Sequence, residues 1–368
     1  MRKMLAVVLT LLVILSTGVL AEVGGLVISP EMELLAGVLS QTSWIERRGP
    51  AGEGNEYFRA LQRFFAPYKD HKAVKLAQDL TNRGFTYDAP PAFMVHLGPL
   101  PELELAYEYS DYLVGRAGKR ERLEEFRLAL RDLADTAKFM DFYDQWRPYL
   151  DEVVARYTTD FRPELLTAWL EDFFGWSASE FHLILTPSMF PGGGYGATVS
   201  TAEGEMLAFQ IIREESVSSR EPQFPSGPDL EQLTIHELGH SFVNPSLEAY
   251  PKRAAKLRPL FKRVEAIMKN QAYTDERTFL NEQVLRGVEV LAAQEIYGED
   301  TAWAVLAYNT RRGFYLTEYV AEQLRYYHAN RDQYPTFTDF VPYLYDRLDE
   351  YQEENLSFWE KIRGKLPF

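Results

Sequence analysis

Apolar side chains recur at helical spacing along most of this chain, and short continuous apolar runs appear only near its middle. "PEMELLAGVLSQTSW", within residues 22–50, shows the first such spacing and predicts a helix. "PAGEGNE" at 50–56 predicts a loop, and helical patterns follow at about 57–66 and 71–83. "PPAFMVHLGP" is short, apolar and bounded by prolines, which suggests a strand at 92–97. A long helical stretch covers about 102–157, broken near Gly115–Gly118, with acids and bases set among Leu, Phe and Tyr as in packed helices with one wet face. A further helix spans about 162–174.

The pattern changes at Gly175. "EFHLILTPSMF" reads as a buried strand ending at Pro187, "PGGGYGATVS" as a glycine-rich turn into an extended piece, and "EMLAFQIIRE" as another strand at 206–213. "PQFPSGP" then breaks the chain. Beyond it a helix is expected from about 228 to 243: Pro228 suits a first helical position, Asp229 and Glu231 favour the helix N-terminus, and Asn244-Pro245 supplies a stop. Helical patterns follow at about 251–270, 275–297, 300–309, 314–329 and 338–354. The expected fold is therefore α+β and predominantly helical, with a small mixed sheet beside the central helix. A soft boundary near 175 separates a mainly helical region, 22–174, from a second region, 175–368.

The first residues alter the picture of where this fold operates. Arg2 and Lys3 precede an apolar run from Met4 to Leu15, and Val19-Leu20-Ala21 offers small side chains for cleavage. This is the pattern of a secretory signal over 1–21, too short for a spanning helix, and it predicts an exported protein, periplasmic or secreted, with no stable membrane insertion after cleavage. The chain has 39 basic and 54 acidic residues, a net charge of −15, and such a surface repels nucleic acid and anionic membrane. With no cysteine, disulfides and thiolate metal sites are excluded. Residues 22–50 are a candidate propeptide; oligomeric state is not legible.

The candidate chemistry lies in "TIHELGHSFVNP", Thr234–Pro245. His236 and His240 are four apart, hence on one helix face, and their imidazoles can reach one ion. Glu237 is turned about 100° from His236, so it is poorly placed as a ligand but well placed to take a proton from a metal-activated water. A catalytic zinc needs a third protein ligand. A histidine six positions after His240 would be one solution, but Ser246 stands there. "FLNEQVLRGVEVLAAQE" offers Glu282 or Glu289, seven apart on one face, with Arg286 between them. The bland reading of Glu282 is a helix-surface ion pair with Arg286.

His236-Glu237-Leu238-Gly239-His240, followed by Leu280-Asn281-Glu282 on a later helix, resembles the gluzincin zinc metallopeptidases, the group that includes thermolysin-like and M1 aminopeptidase-like enzymes; the motifs also suit a family of exported bacterial proteins carrying H-E-x-x-H. The gap of 41 residues between His240 and Glu282 is longer than in the thermolysin-like enzymes. The resemblance implies a zincin-like fold, Zn2+ held by His236, His240 and Glu282, and Glu237 as the residue that polarises water. It also implies that "GGGYGA" occupies a sheet edge against an extended peptide, which makes Gly194, Tyr195 and Gly196 candidate substrate-binding residues. An oxyanion donor is expected downstream of the third ligand, and Tyr315, after Gly313, is the candidate. His71, His96, His182 and His328 receive no functional role. The expected function is an exported zinc metallopeptidase acting on peptides or unfolded protein; the alternative is a non-catalytic, zinc-containing peptide-binding or scaffolding protein.

Overall fold

The computed structural model describes residues 22–46, 55–189, 193–215 and 220–357. The expected signal and most of the loop at 50–56 lie outside these residues. The described chain opens with β1 (Glu22–Val27) and continues through nine helices: α1 (Pro30–Leu39), α2 (Ser43–Glu46), α3 (Glu56–Phe65), α4 (Lys72–Asn82), α5 (Ala89–Met94), α6 (Asp111–Ala117), α7 (Arg120–Ala137), α8 (Phe139–Thr158) and α9 (Pro163–Phe174). Three strands follow, β2 (Glu180–Thr186), β3 (Gly194–Ser200) and β4 (Met206–Arg213). The rest is helical: α10 (Pro228–Glu248), α11 (Pro251–Lys256), α12 (Arg258–Lys269), α13 (Glu276–Tyr297), α14 (Glu299–Arg311), α15 (Thr317–Ala329) and α16 (Phe337–Asn355). The fold is α+β and predominantly helical, with one small mixed sheet.

The sheet runs β1-β2-β4-β3, with β1, β2 and β4 parallel and β3 antiparallel to β4 at one edge. β2 and β4 are apolar along nearly their whole length, as strands covered on both faces must be. α10 covers one face: Phe242 stacks near Phe174 and Phe181, and Thr198 donates to Ser241 at 2.8 Å. Alternation along β3 therefore turns Gly194, Gly196 and Thr198 toward α10, and Tyr195, Ala197 and Val199 away from it. Next to α10 lies α13, whose residues Phe279 to Ala293 are all buried. A helix buried all round belongs to the centre of a fold. Each fully buried Leu or Val there contributes about 1.5–3 kcal/mol, so α13 fixes the position of whatever polar groups it carries.

Several expectations are corrected. The strand expected at 92–97 is instead the end of helix α5, which stops at Met94, followed by a turn and an isolated antiparallel bridge from Leu97 to Leu105; Pro90 and Pro91 stand in the first turn of α5, where their fixed φ and missing N–H suit a helix start. Residues 102–110 are not helical, and the long helical stretch breaks a second time at Lys138, which takes φ of 53° between α7 and α8. α10 does not stop at Asn244-Pro245 but continues to Glu248. Beyond the proline it is held by Ser246, which donates to the Phe242 carbonyl at 2.8 Å, and by Tyr345, whose hydroxyl donates to the Leu247 carbonyl at 3.2 Å. Residues 22–46, the described part of the candidate propeptide, are packed into the fold: β1 pairs with β2, and Leu34, Leu35 and Val38 of α1 are fully buried. Among the described residues no helix is long and apolar enough to cross a membrane.

Candidate metal centre

α10 and α13 pack face to face, and each brings charged or titratable side chains to a contact that is otherwise apolar. On α13 these are Glu282, Arg286 and Glu289, at i, i+4 and i+7 and all buried. The ion pair considered for Glu282 with Arg286 is present, but buried and not on the helix surface. Charges in such a place require partners, because isolated burial costs several kcal/mol per ion.

α10 supplies them. His240 Nε2 lies 3.5 Å from Glu282 Oε1, and His236 Nε2 lies 3.7 Å from Glu282 Oε2. The donor atoms of His236, His240 and Glu282 all fall within 4.8 Å of one another, and this buried group can hold a metal ion. Donors at tetrahedral Zn–N and Zn–O distances stand about 3.3 Å apart, close to the separations seen here. The remaining imidazole nitrogens each lie next to an oxygen, His236 Nδ1 as an ion-pair contact whose angle falls short of a full hydrogen bond. His236 Nδ1 lies 2.8 Å from Glu289 Oε1, and His240 Nδ1 lies 3.2 Å from Asn244 Oδ1. With Nδ1 of each ring engaged, Nε2 is the nitrogen turned to the shared carboxylate, which is how metal-binding histidines are oriented.

This arrangement separates the two candidate glutamates. Glu282 faces both Nε2 atoms; Glu289 sits behind His236. Arg286 bridges them, donating to Glu282 Oε2 at 3.1 Å and to Glu289 Oε1 at 2.7 Å, with its guanidinium over the Phe314 ring. Asn309 of α14 donates to Glu289 Oε2 at 2.9 Å. Asn309 and Asn244 are thus parts of the site that the sequence analysis did not name, while Glu289, named there as an alternative ligand, sits behind His236.

The electrostatics follow from burial and these neighbours. Burial alone would raise Glu289, but Arg286 and His236 outweigh it and hold its carboxyl down at about 2. Burial also opposes the charge on Glu282, yet His236, Arg286 and His240 keep its pKa below the ordinary value. Burial and Arg286 lower His236; Glu282 and Glu289 overcome both and raise it. His240, buried and beside His236, falls to about 4. Glu237 is the exception among the acids: burial, aided by Glu282, pushes it up to about 7 against the pull of His236. A carboxyl near neutrality can both accept and return a proton.

The edge strand lies directly on this group. A Cβ at Gly194 would fall 2.6 Å from Glu237 Oε1, and one at Gly196 would fall 2.1 Å from the Glu237 carbonyl oxygen and 2.9 Å from His240 Cβ. Only glycine permits this approach. Tyr195, a candidate substrate-binding residue, lies by strand alternation on the opposite face of the sheet from the two glycines. Tyr315 is also placed elsewhere. Its hydroxyl donates to the Leu260 carbonyl at 3.0 Å, and its ring packs near Phe279. The tyrosine that feels the charges of Glu282, Arg286, Arg312 and Glu237 is Tyr273, in the turn before α13, with its ring against Phe314. Its hydroxyl pKa is raised, first by burial and then by Glu282. Sequence alone gave no mark to distinguish it among 22 tyrosines. The other histidines have structural surroundings: His71 caps α4, His96 is buried near Tyr109, His182 stacks on Phe209, and His328 lies against Glu295.

No curated protein and no solved structure matches this chain. A family model described as a domain of unknown function, DUF4932, matches residues 50–346, and the chain belongs to that family.

Proposed function

We propose that this protein is a zinc-dependent metallopeptidase, with His236, His240 and Glu282 as the metal ligands. The observation that carries the reading is the convergence of both Nε2 atoms on Glu282, with each Nδ1 held from behind and Glu237 alongside. Two imidazoles and one carboxylate suit zinc in an open catalytic site. When bound, the ion supplies Lewis acidity toward a carbonyl and toward water. The chain's own residues supply the rest. Glu237 removes the proton from the attacking water and passes it to the leaving amine. Glu289 and Asn244 keep the imidazoles in one orientation. Tyr273 donates a hydrogen bond to the oxyanion that develops on the scissile carbonyl. The substrate, a peptide or unfolded protein segment, lies extended along the outer edge of β3, where no other strand pairs among the described residues.

The test is cleavage of a mixed peptide library by the zinc-loaded protein, read by mass spectrometry, beside its Glu237→Gln variant. The expected result is cleavage by the wild type and a fall of about 10²–10⁴-fold in the variant, with equal zinc content in both. A wild type that holds one zinc per chain and cleaves nothing overturns the peptidase reading in favour of a zinc-containing binding module.

A further inference from the structure

A second buried group of oxygens lies away from the histidines, where α1, the start of α3 and the ends of β2 and β4 meet. Glu33 of α1 is fully buried, and Glu214, directly after β4, is 2% exposed. Asn55, the cap of α3, ties the region together: its Nδ2 donates to Glu214 Oε2 at 2.8 Å and to the Pro187 carbonyl at 3.1 Å, and its Oδ1 accepts from the Phe58 amide at 3.2 Å. The hydroxyls of Ser188 and Tyr57 stand beside the Glu33 carboxylate, and Glu214 is near enough to act on its charge.

Despite this crowding, five oxygens have no well-formed hydrogen bond: both of Glu33, Oε1 of Glu214, Ser188 Oγ and Tyr57 OH. Ser188 is 2% exposed and Tyr57 fully buried, so water outside the protein does not satisfy them. Buried polar groups without partners are rare and call for a missing one. Ser188 and Tyr57 lie near enough to bear on the Glu33 carboxylate as hydrogen-bond partners, yet none of these contacts has the geometry of a full hydrogen bond. The nearby cation, Arg213, acts on Glu214, while its own Nε is also without a partner.

We propose that this node is a cation site, separate from the histidine site, that takes a hard divalent ion of the calcium class. The donors are all oxygen, which selects against zinc and copper. Two carboxylates balance a charge of two. Five buried carboxylate and hydroxyl oxygens suit calcium, which accepts 6–8 flexible ligands, better than magnesium, which keeps waters in a rigid octahedron. The ion would clamp the ends of β2 and β4 at the end of the sheet where Gly194 pairs with Ile212 and touches Glu237. The proposal stands whether or not the histidine site is hydrolytic.

Terbium luminescence tests it, because the Tyr57 ring lies 5.5 Å from Trp146 and both can sensitise a lanthanide at this node. The full zinc-loaded chain is titrated with terbium and then with calcium, beside Glu33→Gln and Glu214→Gln. The expected result is saturable emission displaced by calcium in the wild type and lost in both variants, with calcium raising the melting temperature of the wild type only. Emission that persists unchanged in Glu33→Gln, or a calcium effect on stability equal in all three proteins, overturns the proposal. So does a Glu33→Gln protein as stable as the calcium-saturated wild type, because the glutamine amide then replaces a proton and not an ion.

Discussion

Glu289→Gln is the perturbation that best separates the parts of the metal centre. Glu289 Oε1 faces His236 Nδ1 at 2.8 Å and Arg286 at 2.7 Å, and Oε2 accepts from Asn309 at 2.9 Å. A glutamine keeps the shape. Its oxygen can remain toward His236 and Arg286 while its amide meets Asn309, whose Oδ1 has no partner and can accept once that side chain turns over. The substitution therefore removes one charge and little else. Loss of such an orienting partner weakens metal binding about 10–100-fold, or about 1.4–2.7 kcal/mol. Glu289→Ala differs in kind: it leaves three buried donors without an acceptor, at about 1–3 kcal/mol each, and should destabilise the fold itself. Zinc affinity is measured by competition with a chelator of known strength, and urea unfolding of the metal-free proteins reports the second effect. Glu282→Gln should lose far more affinity than Glu289→Gln. An unchanged affinity in Glu289→Gln refutes the orienting role, and a loss matching that of Glu282→Gln makes Glu289 a ligand.

Three other outcomes follow, two from the metal centre and its surroundings and one from the buried His96. Gly194→Ala meets the flexible end of Glu237 and should abolish cleavage while zinc is retained, whereas Gly196→Ala meets backbone and should cost about 1–3 kcal/mol of stability and weaken zinc as well; zinc titration and thermal melts of the two variants check this. Tyr273→Phe should lower kcat by about 10²–10³-fold with zinc content intact, while Tyr315→Phe should leave kcat unchanged and lose about 1 kcal/mol for its bond to Leu260. Burial depresses His96 from the ordinary imidazole value to about 4, so its contribution is undiminished above pH 6.5 and is lost as pH falls from 6.5 to 4. That loss is about 3 kcal/mol, and a His96→Gln protein should lack that part of the acid slope in urea unfolding.

The sequence made the two histidines and Glu237 legible because a fixed helical pitch converts spacing into direction. The same rule left Glu282 and Glu289 on one face and did not rank them; only the approach of α10, which turns one nitrogen of His236 to each carboxylate, assigns their roles. The edge strand was legible from its glycines, and period-two alternation separates Tyr195 from its neighbours once one face is known. Local signals failed where tertiary contacts decide. Pro245 reads as a stop, yet packing by Tyr345 carries α10 past it. The apolar run around Phe93 reads equally as buried strand or buried helix, since neither leaves a polar face. Asn309 reaches the site from a neighbouring helix, and Tyr273 comes near its charges from a turn, only through folding, and no spacing rule connects them to His236.

The central claim is that α10 and α13 build one metal site from His236, His240 and Glu282. The most direct measurement is a crystal structure of the zinc-supplied protein with anomalous data collected on both sides of the zinc edge. The account predicts a single strong peak bonded to His236 Nε2, His240 Nε2 and Glu282 at about 2.0–2.2 Å, with Glu289 beyond it on His236 Nδ1. No peak between these residues, or a peak ligated by Glu289 in place of Glu282, would contradict it.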